Sequence, residues 1–268
     1  MNQTDLLPGG LYDYPAYYEL VFGSDWRAEL HFLLAIFERY AEGRVQRLLE
    51  PACGTGRLLF RLAQRKFHVT GFDLNPQAVA YCNQRFARHG LRPAAFCADM
   101  ADFHLSRPVD AAFNMINSFR HLTAARQAAD HLRCMAQAVR RGGLYVLGLH
   151  LTPTARPPMD EESWSARRGH LLINTRLYTV RRDWKSRQEH FMMECDIYTP
   201  TKRHRIREPM VFRMYTLRQF RQLLRQGGLW QEVAVFDFTY DWRHPITPGP
   251  DTEDAVFVLK RCDPSSDR

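Results

Sequence analysis

The chain has 268 residues, 45% hydrophobic and 12% aromatic, enough to bury a full core in one large domain or one domain with an insertion. No stretch approaches the ~20 consecutive apolar residues of a membrane helix. The start MNQTDLLPGGLYDYPAYYEL lacks the basic and apolar regions of a secretory leader, so a cytoplasmic protein without membrane contact is expected. Six scattered cysteines with no C-x-x-C pair argue against a disulfide framework or a zinc site; reduced thiols and no metal are the expectation. The net charge of +8 is local, because residues 151–225 hold 16 Lys+Arg against 8 Asp+Glu and the remainder holds 21 of each. Such a surface attracts phosphates, carboxylates or nucleic acid, although charge runs are more often the solvated faces of strands and helices.

From Val45 to Leu149 short apolar runs alternate with amphipathic stretches. Val45–Glu50 reads as a strand, Arg57–Lys66 as a helix with Leu58, Leu59, Leu62 and Ala63 on one face, and His68–Asp73 as a second strand. Asn75-Pro76 opens a helix to about Arg88. Pro93–Ala98 and Asp110–Ile116 are the third and fourth strands. A helix over Thr123–Arg140 should stop at Gly142-Gly143 before a fifth strand, Leu144–Leu149. Regular alternation of this kind predicts a parallel sheet covered on both faces. After a Pro/Thr-rich linker, Thr152–Pro158, three period-2 segments follow: Gly169–Arg182, Gln188–Tyr198 and Arg205–Tyr215. They predict an antiparallel meander with one packed and one open face. Thr216 caps a helix to Gly227-Gly228, and Gln231–Tyr240 and Ala255–Arg261 are the last strands.

The densest chemical signal is Glu50-Pro51-Ala52-Cys53-Gly54-Thr55-Gly56, between a strand and a helix. Gly54 and Gly56 let the backbone turn sharply and approach a ligand that a Cβ would exclude. Asp73 ends the next strand, where a carboxylate can accept both ribose hydroxyls of a nucleoside held over the loop. A dinucleotide fingerprint G-x-G-x-x-G fails, since Leu59 stands at its third glycine position.

The acid-opened G-T-G turn followed by the second acid resembles the cofactor site of class I S-adenosylmethionine-dependent methyltransferases. The resemblance implies an α/β fold: a Rossmann-like, doubly wound, mostly parallel seven-stranded sheet with an inserted antiparallel β-meander. It implies S-adenosylmethionine as cofactor and S-adenosylhomocysteine as product, held by Glu50, Ala52, Gly54, Thr55, Gly56 and Asp73. Leu74 and Met100 would flank the adenine, Asp99 would meet its amino group, and Met115 would line the methionyl part. One departure is Ala52, where the family usually has glycine.

The loop Asn114–Leu122 (NMINSFRHL) resembles that of small-molecule N-methyltransferases, particularly the nucleotide-linked aminosugar N,N-dimethyltransferases. Those relatives share an aromatic N-terminal helix, here Tyr17-Tyr18-Glu19-Leu20-Val21, and the meander after the fifth strand. In the resemblance Tyr18 and His121 flank the acceptor. His121 is then the candidate base, because a histidine titrating near neutrality can take or relay a proton, and Tyr18 the candidate positioning donor. Each also has a structural reading, His121 as a cap for the following helix and Tyr18 as packing over the cofactor.

The expected divisions are a helical lid (1–44), the cofactor-binding core (45–150), an inserted β substrate subdomain (151–215) and the completion of the core sheet (216–268). The expected reaction is methyl transfer to a small-molecule acceptor, with an anionic partner suggested by the basic insertion, nitrogen favoured over oxygen, and a homodimer as one form of assembly. Two rival readings stay open: an RNA or protein methyltransferase using the basic insertion, and a non-catalytic S-adenosylmethionine-binding protein.

Overall fold

The alternation in the first half of the sequence becomes five strands of a seven-stranded sheet flanked by helices, and the period-2 segments become a second sheet. A computed structural model describes residues 4–23 and 26–262; the outer ends of the first and last expected divisions lie outside these residues. Thr4–Leu6 forms strand β1, a 3-10 turn follows at Leu11–Asp13, and Pro15–Phe22 is helix α1, opened by proline at its first turn. Trp26–Tyr40 is α2. The core then runs β2 (Arg47–Pro51), α3 (Arg57–Gln64), β3 (His68–Asp73), α4 (Pro76–Arg88), β4 (Ala95–Cys97) and β5 (Val109–Asn114). A 3-10 turn at Ser118–His121 leads into α5 (Ala125–Ala138) and β6 (Val139–His150). The insertion holds β7 (Glu161–Arg168), β8 (Leu171–Asp183), β9 (Gln188–Tyr198) and β10 (Arg203–Arg213). Helix α6 (Leu217–Gly227), β11 (Trp230–Phe236) and β12 (Asp254–Arg261) complete the core.

The seven-stranded sheet has the order β11-β12-β6-β5-β2-β3-β4. Strands β2 to β6 pair in parallel with one another, and β12 runs antiparallel to both β6 and β11. Strand β2 pairs with β3 on one side and β5 on the other. Chain order therefore reverses between β2 and β5, and the loops leaving these strands diverge, which opens a crevice at their C-terminal ends. Helix α3 buries Leu58, Leu59 and Leu62 completely against the sheet, each contributing about 1.5–3 kcal/mol of transfer free energy.

Four features go beyond or differ from the elements expected. First, the N-terminal segment divides between the two sheets. Strand β1 pairs parallel with β10, and Leu11, Leu20 and Val21 pack on the meander with Ile173, Met193 and Ile206, whereas α2 sets Phe32, Leu33 and Ile36 into the core with Phe236 and Val258. Secondly, the meander has four strands, since β7 pairs antiparallel with β8 through a two-residue turn at Gly169-His170, the glycine at positive φ. Thirdly, α5 ends at Ala138. Val139 is already extended and pairs with Val109, while Ala111 pairs with Leu144, so Gly142-Gly143 lie in an irregular stretch of strand rather than at a helix stop. Fourthly, β11 ends at Phe236, where Asp237 accepts from the Thr239 N–H and turns the chain.

Candidate active site

The loop after β2 owes its shape to three residues in the left-handed region: Ala52 (φ 50°), Gly54 (φ 51°) and Gly56 (φ 67°). A Cβ on Gly56 would stand 2.3 Å from the Cys82 sulfur, so the loop closes on α4 only without a side chain there. Asp73, at the tip of β3, reaches back to this bend. Its Oδ2 accepts from the Gly54 N–H at 2.8 Å and its Oδ1 from the Asn75 N–H at 2.9 Å. Burial raises the Asp73 pKa, opposed by these backbone hydrogen bonds. The two parts of the sequence motif therefore meet.

Glu50 ends up buried at the C-terminal end of β2 with Oε2 lacking any hydrogen-bond partner. Burial pushes its pKa well up, and the Arg57 guanidinium pulls the other way. On the neighbouring strand β5, Asn114 donates Nδ2–H to the Pro51 carbonyl at 2.8 Å, and its buried Oδ1 is also without a partner. Buried polar atoms of this kind are uncommon and mark either strain or a ligand position. The Thr55 hydroxyl donates to Glu19 Oε2 at 2.5 Å, and Glu19 pairs with Arg85 at 2.6 Å, which clips α1 onto the loop and onto α4.

The outlying residues of the expected cofactor set lie in different environments. Leu74 is 75% exposed, an unusual position for a leucine beside a crevice. Asp99 is exposed and accepts from the Ala101 N–H; Met100 is half-buried, its carbonyl held by His131. Met115 is 3% exposed and packs in the core among Leu48, Cys53 and Phe113. Among the described residues no group of His, Cys, Asp or Glu side chains is placed to hold a metal ion.

Beyond the crevice lies a cavity of about 980 Å³, counting its open mouth, between the ends of β5 and β6 and the inner face of the meander. His121 borders it, with Nε2 3.3 Å from the Tyr12 hydroxyl and its ring edge-on to Phe212. Part of the imidazole faces the cavity, yet the surrounding protein, and then the charge of Arg120, lower its pKa to about 4. This corrects the expectation of a histidine titrating near neutrality. The Tyr12 hydroxyl, its pKa raised well above the usual value by burial and by Tyr18, keeps its proton, and the direction of its hydrogen bond with His121 follows the imidazole tautomer.

Tyr18 does not line the cavity. Its ring packs over Gly54 and against Tyr12 and Phe22, with centroids 5.5 and 4.9 Å away. Tyr12, which the sequence reading did not single out, stands between the two halves: its carbonyl accepts from Asn75 Nδ2 at 2.9 Å and its hydroxyl meets His121. The aromatic run Leu11-Tyr12-Asp13-Tyr14 was the available signal. Arg120 was also missed. It pairs with Glu189 of β9 at 2.6 Å, both side chains under a tenth exposed (6% and 7%), and donates from Nε to the Arg213 carbonyl at 2.8 Å. Nothing in the local sequence connects residues 69 positions apart.

A parallel sheet with a single reversed strand, whose glycine bend and facing carboxylate meet where the strand order turns, is the class I S-adenosylmethionine-dependent methyltransferase fold. Residues 48–143 match the family model described as a methyltransferase domain. The fold of the whole chain matches that of an S-adenosylmethionine-dependent methyltransferase from Clostridium acetobutylicum, with TM-score 0.77, 14% identity, and 94% of this chain and 100% of that one covered. It also matches S-adenosylmethionine-bound CalS10, an amino pentose methyltransferase from Micromonospora echinaspora, with TM-score 0.72, 21% identity, and 97% and 100% covered. In sequence, the chain is 31% identical over 137 residues to dTDP-3-amino-3,6-dideoxy-alpha-D-glucopyranose N,N-dimethyltransferase of Streptomyces fradiae, covering 48% of this chain and 50% of that protein. The chain spans about half the length of the curated relatives it matches.

Proposed function

We propose that the protein is an S-adenosylmethionine-dependent methyltransferase acting on a nitrogen of a small molecule. The observation that carries this reading is the 2.8 Å hydrogen bond from the Gly54 N–H to Asp73, beside a buried Glu50 whose Oε2 is unpaired. The residues present fit the cofactor: the bend would lose its shape with a Cβ at Gly56, and the orphaned Glu50 oxygen suits an ammonium group. Asp73 then holds the ribose hydroxyls, Leu74 and Met100 cover the adenine, Asp99 takes its amino group, and the backbone of residues 52–56 supports the amino-acid tail. Bound there, S-adenosylmethionine supplies a sulfonium-activated methyl group for in-line displacement.

His121 and Tyr12 orient the acceptor. With a pKa of about 4, His121 is neutral at physiological pH and serves as a hydrogen-bond acceptor that aims an amine's lone pair. It is too weak a base to hold an ammonium proton, which leaves to solvent. The N-methyltransferase named in the Streptomyces fradiae relative supports nitrogen as the target. The RNA reading is weaker, because basic residues of the meander are paired on its outer face: Arg205 with Asp196 at 2.6 Å and Arg207 with Glu194 at 2.9 Å. Six free thiols favour a reducing compartment such as the cytoplasm, and no helix among the described residues is long and apolar enough to cross a membrane.

Calorimetry with S-adenosylhomocysteine tests the central claim. Binding at micromolar concentration is expected, weakened by about 1–3 kcal/mol in Asp73→Ala through loss of charged hydrogen bonds. No heat with the unmodified protein would refute the reading, and an unchanged affinity in the variant would reassign Asp73.

A further inference from the structure

The charge of the cavity bears on what enters it. Five acidic residues border it, Asp160, Glu161, Glu162, Glu189 and Glu253, with the Glu161 carboxylate turned to Arg176 on the outer face, against one arginine, Arg120, and no lysine. Each arginine that approaches these acids is already committed. Arg120 is held by Glu189 and the Arg213 carbonyl. Arg182 grips Glu189 at 2.6 Å, the Met159 carbonyl at 2.7 Å, and Asp160. Arg156 pairs with Glu253 at 2.6 Å, and Arg176 with Glu161 at 2.7 Å. Glu162 has no cationic partner among the described residues. The two lining histidines add no free charge: His121 is neutral, and His150 Nδ1 lies 2.6 Å from Asp254. A diphosphate in this cavity would face carboxylates and find no uncommitted cation.

The acids are not evenly placed. Asp160, Glu161 and Glu162 are exposed at the rim, while the Arg120–Glu189 pair is deep. The meander side offers an apolar wall that includes Leu177, Phe191, Met193 and Met210, with Phe22 and Trp164 beside it. Aromatic and methionine surfaces take both an apolar body and a methylated, weakly hydrated ammonium. An ammonium is drawn to Glu162, the rim carboxylate without an arginine partner among the described residues, and deeper in, the burial that chiefly depresses His121 favours the neutral amine.

We infer that the acceptor is a phosphate-free amine with an apolar body, recruited as a cation by the carboxylate rim. This rests on the N-methyltransferase reading above. It departs from the anionic partner that the basic insertion suggested and from the nucleotide-linked sugar in the name of the Streptomyces fradiae relative.

The test uses two probes, phenethylammonium chloride and thymidine diphosphate, titrated into the full chain by calorimetry with and without S-adenosylhomocysteine. Phenethylammonium should bind, more weakly as salt is added, and roughly threefold more weakly to Glu162→Gln, as removal of one exposed charge predicts. Thymidine diphosphate should bind at least an order of magnitude less well, since each tenfold corresponds to ~1.4 kcal/mol of discrimination. Tighter binding of the diphosphate overturns the inference, as does failure of both probes to bind, or an amine affinity indifferent to salt and to Glu162→Gln. The S-adenosylhomocysteine titration on the same sample separates the two claims. Cofactor binding with no amine preference removes only the acceptor class, and absence of cofactor binding removes the methyltransferase reading.

Discussion

The crevice proposed for the cofactor and the cavity proposed for the acceptor adjoin, yet they are made from different material. The crevice is largely backbone: a bend over residues 52–56, two amides on Asp73, and strand ends whose positions follow from sheet register. The cavity is side chains brought from the N-terminal segment, the turn after β5, the strap over residues 151–160, four meander strands and Glu253. A backbone site depends on a few residues that permit a conformation. A side-chain site depends on charge pairs formed across long sequence separations, and it can be rewritten without disturbing the first. If that contrast holds, damage to one half should leave the other measurable.

The largest effect is expected from Glu189→Ala. It strands the buried Arg120 guanidinium and frees Arg182, and breaking a buried pair by removing one partner destabilises by about 3–5 kcal/mol. Urea unfolding should report that loss. Calorimetry below the transition should still find S-adenosylhomocysteine affinity within a few-fold of the unmodified protein. A parallel collapse of cofactor affinity would mean the two halves are one unit. Replacing both partners together, Arg120→Met with Glu189→Leu, should recover much of the stability, because no uncompensated charge remains.

The same contrast explains which features were legible in the sequence. Gly54, Gly56 and Asp73 could be read because their spacing reflects a conformational requirement and one strand–helix–strand length. The parallel sheet followed from regular alternation. Strand β7 was invisible because EESWSARR at a sheet edge has almost no apolar alternation to read. The end of α5 was misplaced because Gly142-Gly143 imitates a helix stop, while the pairing of Val139 with Val109, which decides the matter, is tertiary. Tyr12, the Arg120–Glu189 pair and the low pKa of His121 exist only once the meander has docked.

A second experiment sharpens the comparison through pH. His131 on α5 is fully buried, with Nδ1 2.8 Å from the Met100 carbonyl and Nε2 2.9 Å from the Tyr145 hydroxyl. Burial lowers its pKa from 6.5 to about 4. Because the folded value is depressed, the unfolded chain binds the proton first. Stability is complete above about pH 6.5 and falls as pH drops through about 4, by up to about 3 kcal/mol. Urea midpoints measured down that range should decline, and His131→Gln should flatten the decline even though His121 is retained. A slope unchanged by the variant would move the sensitivity to the acceptor half, where His121 is lowered for a similar reason but has the cavity as an outlet.

The smallest expected effect bears on the one departure from the family pattern. Ala52 sits at φ 50°, and a left-handed conformation is disfavoured by roughly 1–2 kcal/mol for a residue with a Cβ. Glycine removes that strain but gives the unfolded chain more freedom, which takes back about 0.4–1 kcal/mol. Ala52→Gly should therefore stabilise the protein by about 0.5–1 kcal/mol, a rise in Tm of roughly 1–4 °C for a chain of this size. Amine binding in the cavity should not change, since only the backbone of the other half has relaxed. Affinity for S-adenosylhomocysteine should also hold if the loop keeps its shape. A stabilised variant with weakened cofactor binding would show that the strained alanine fixes the bend in its binding form, so that even the backbone half depends on one side chain.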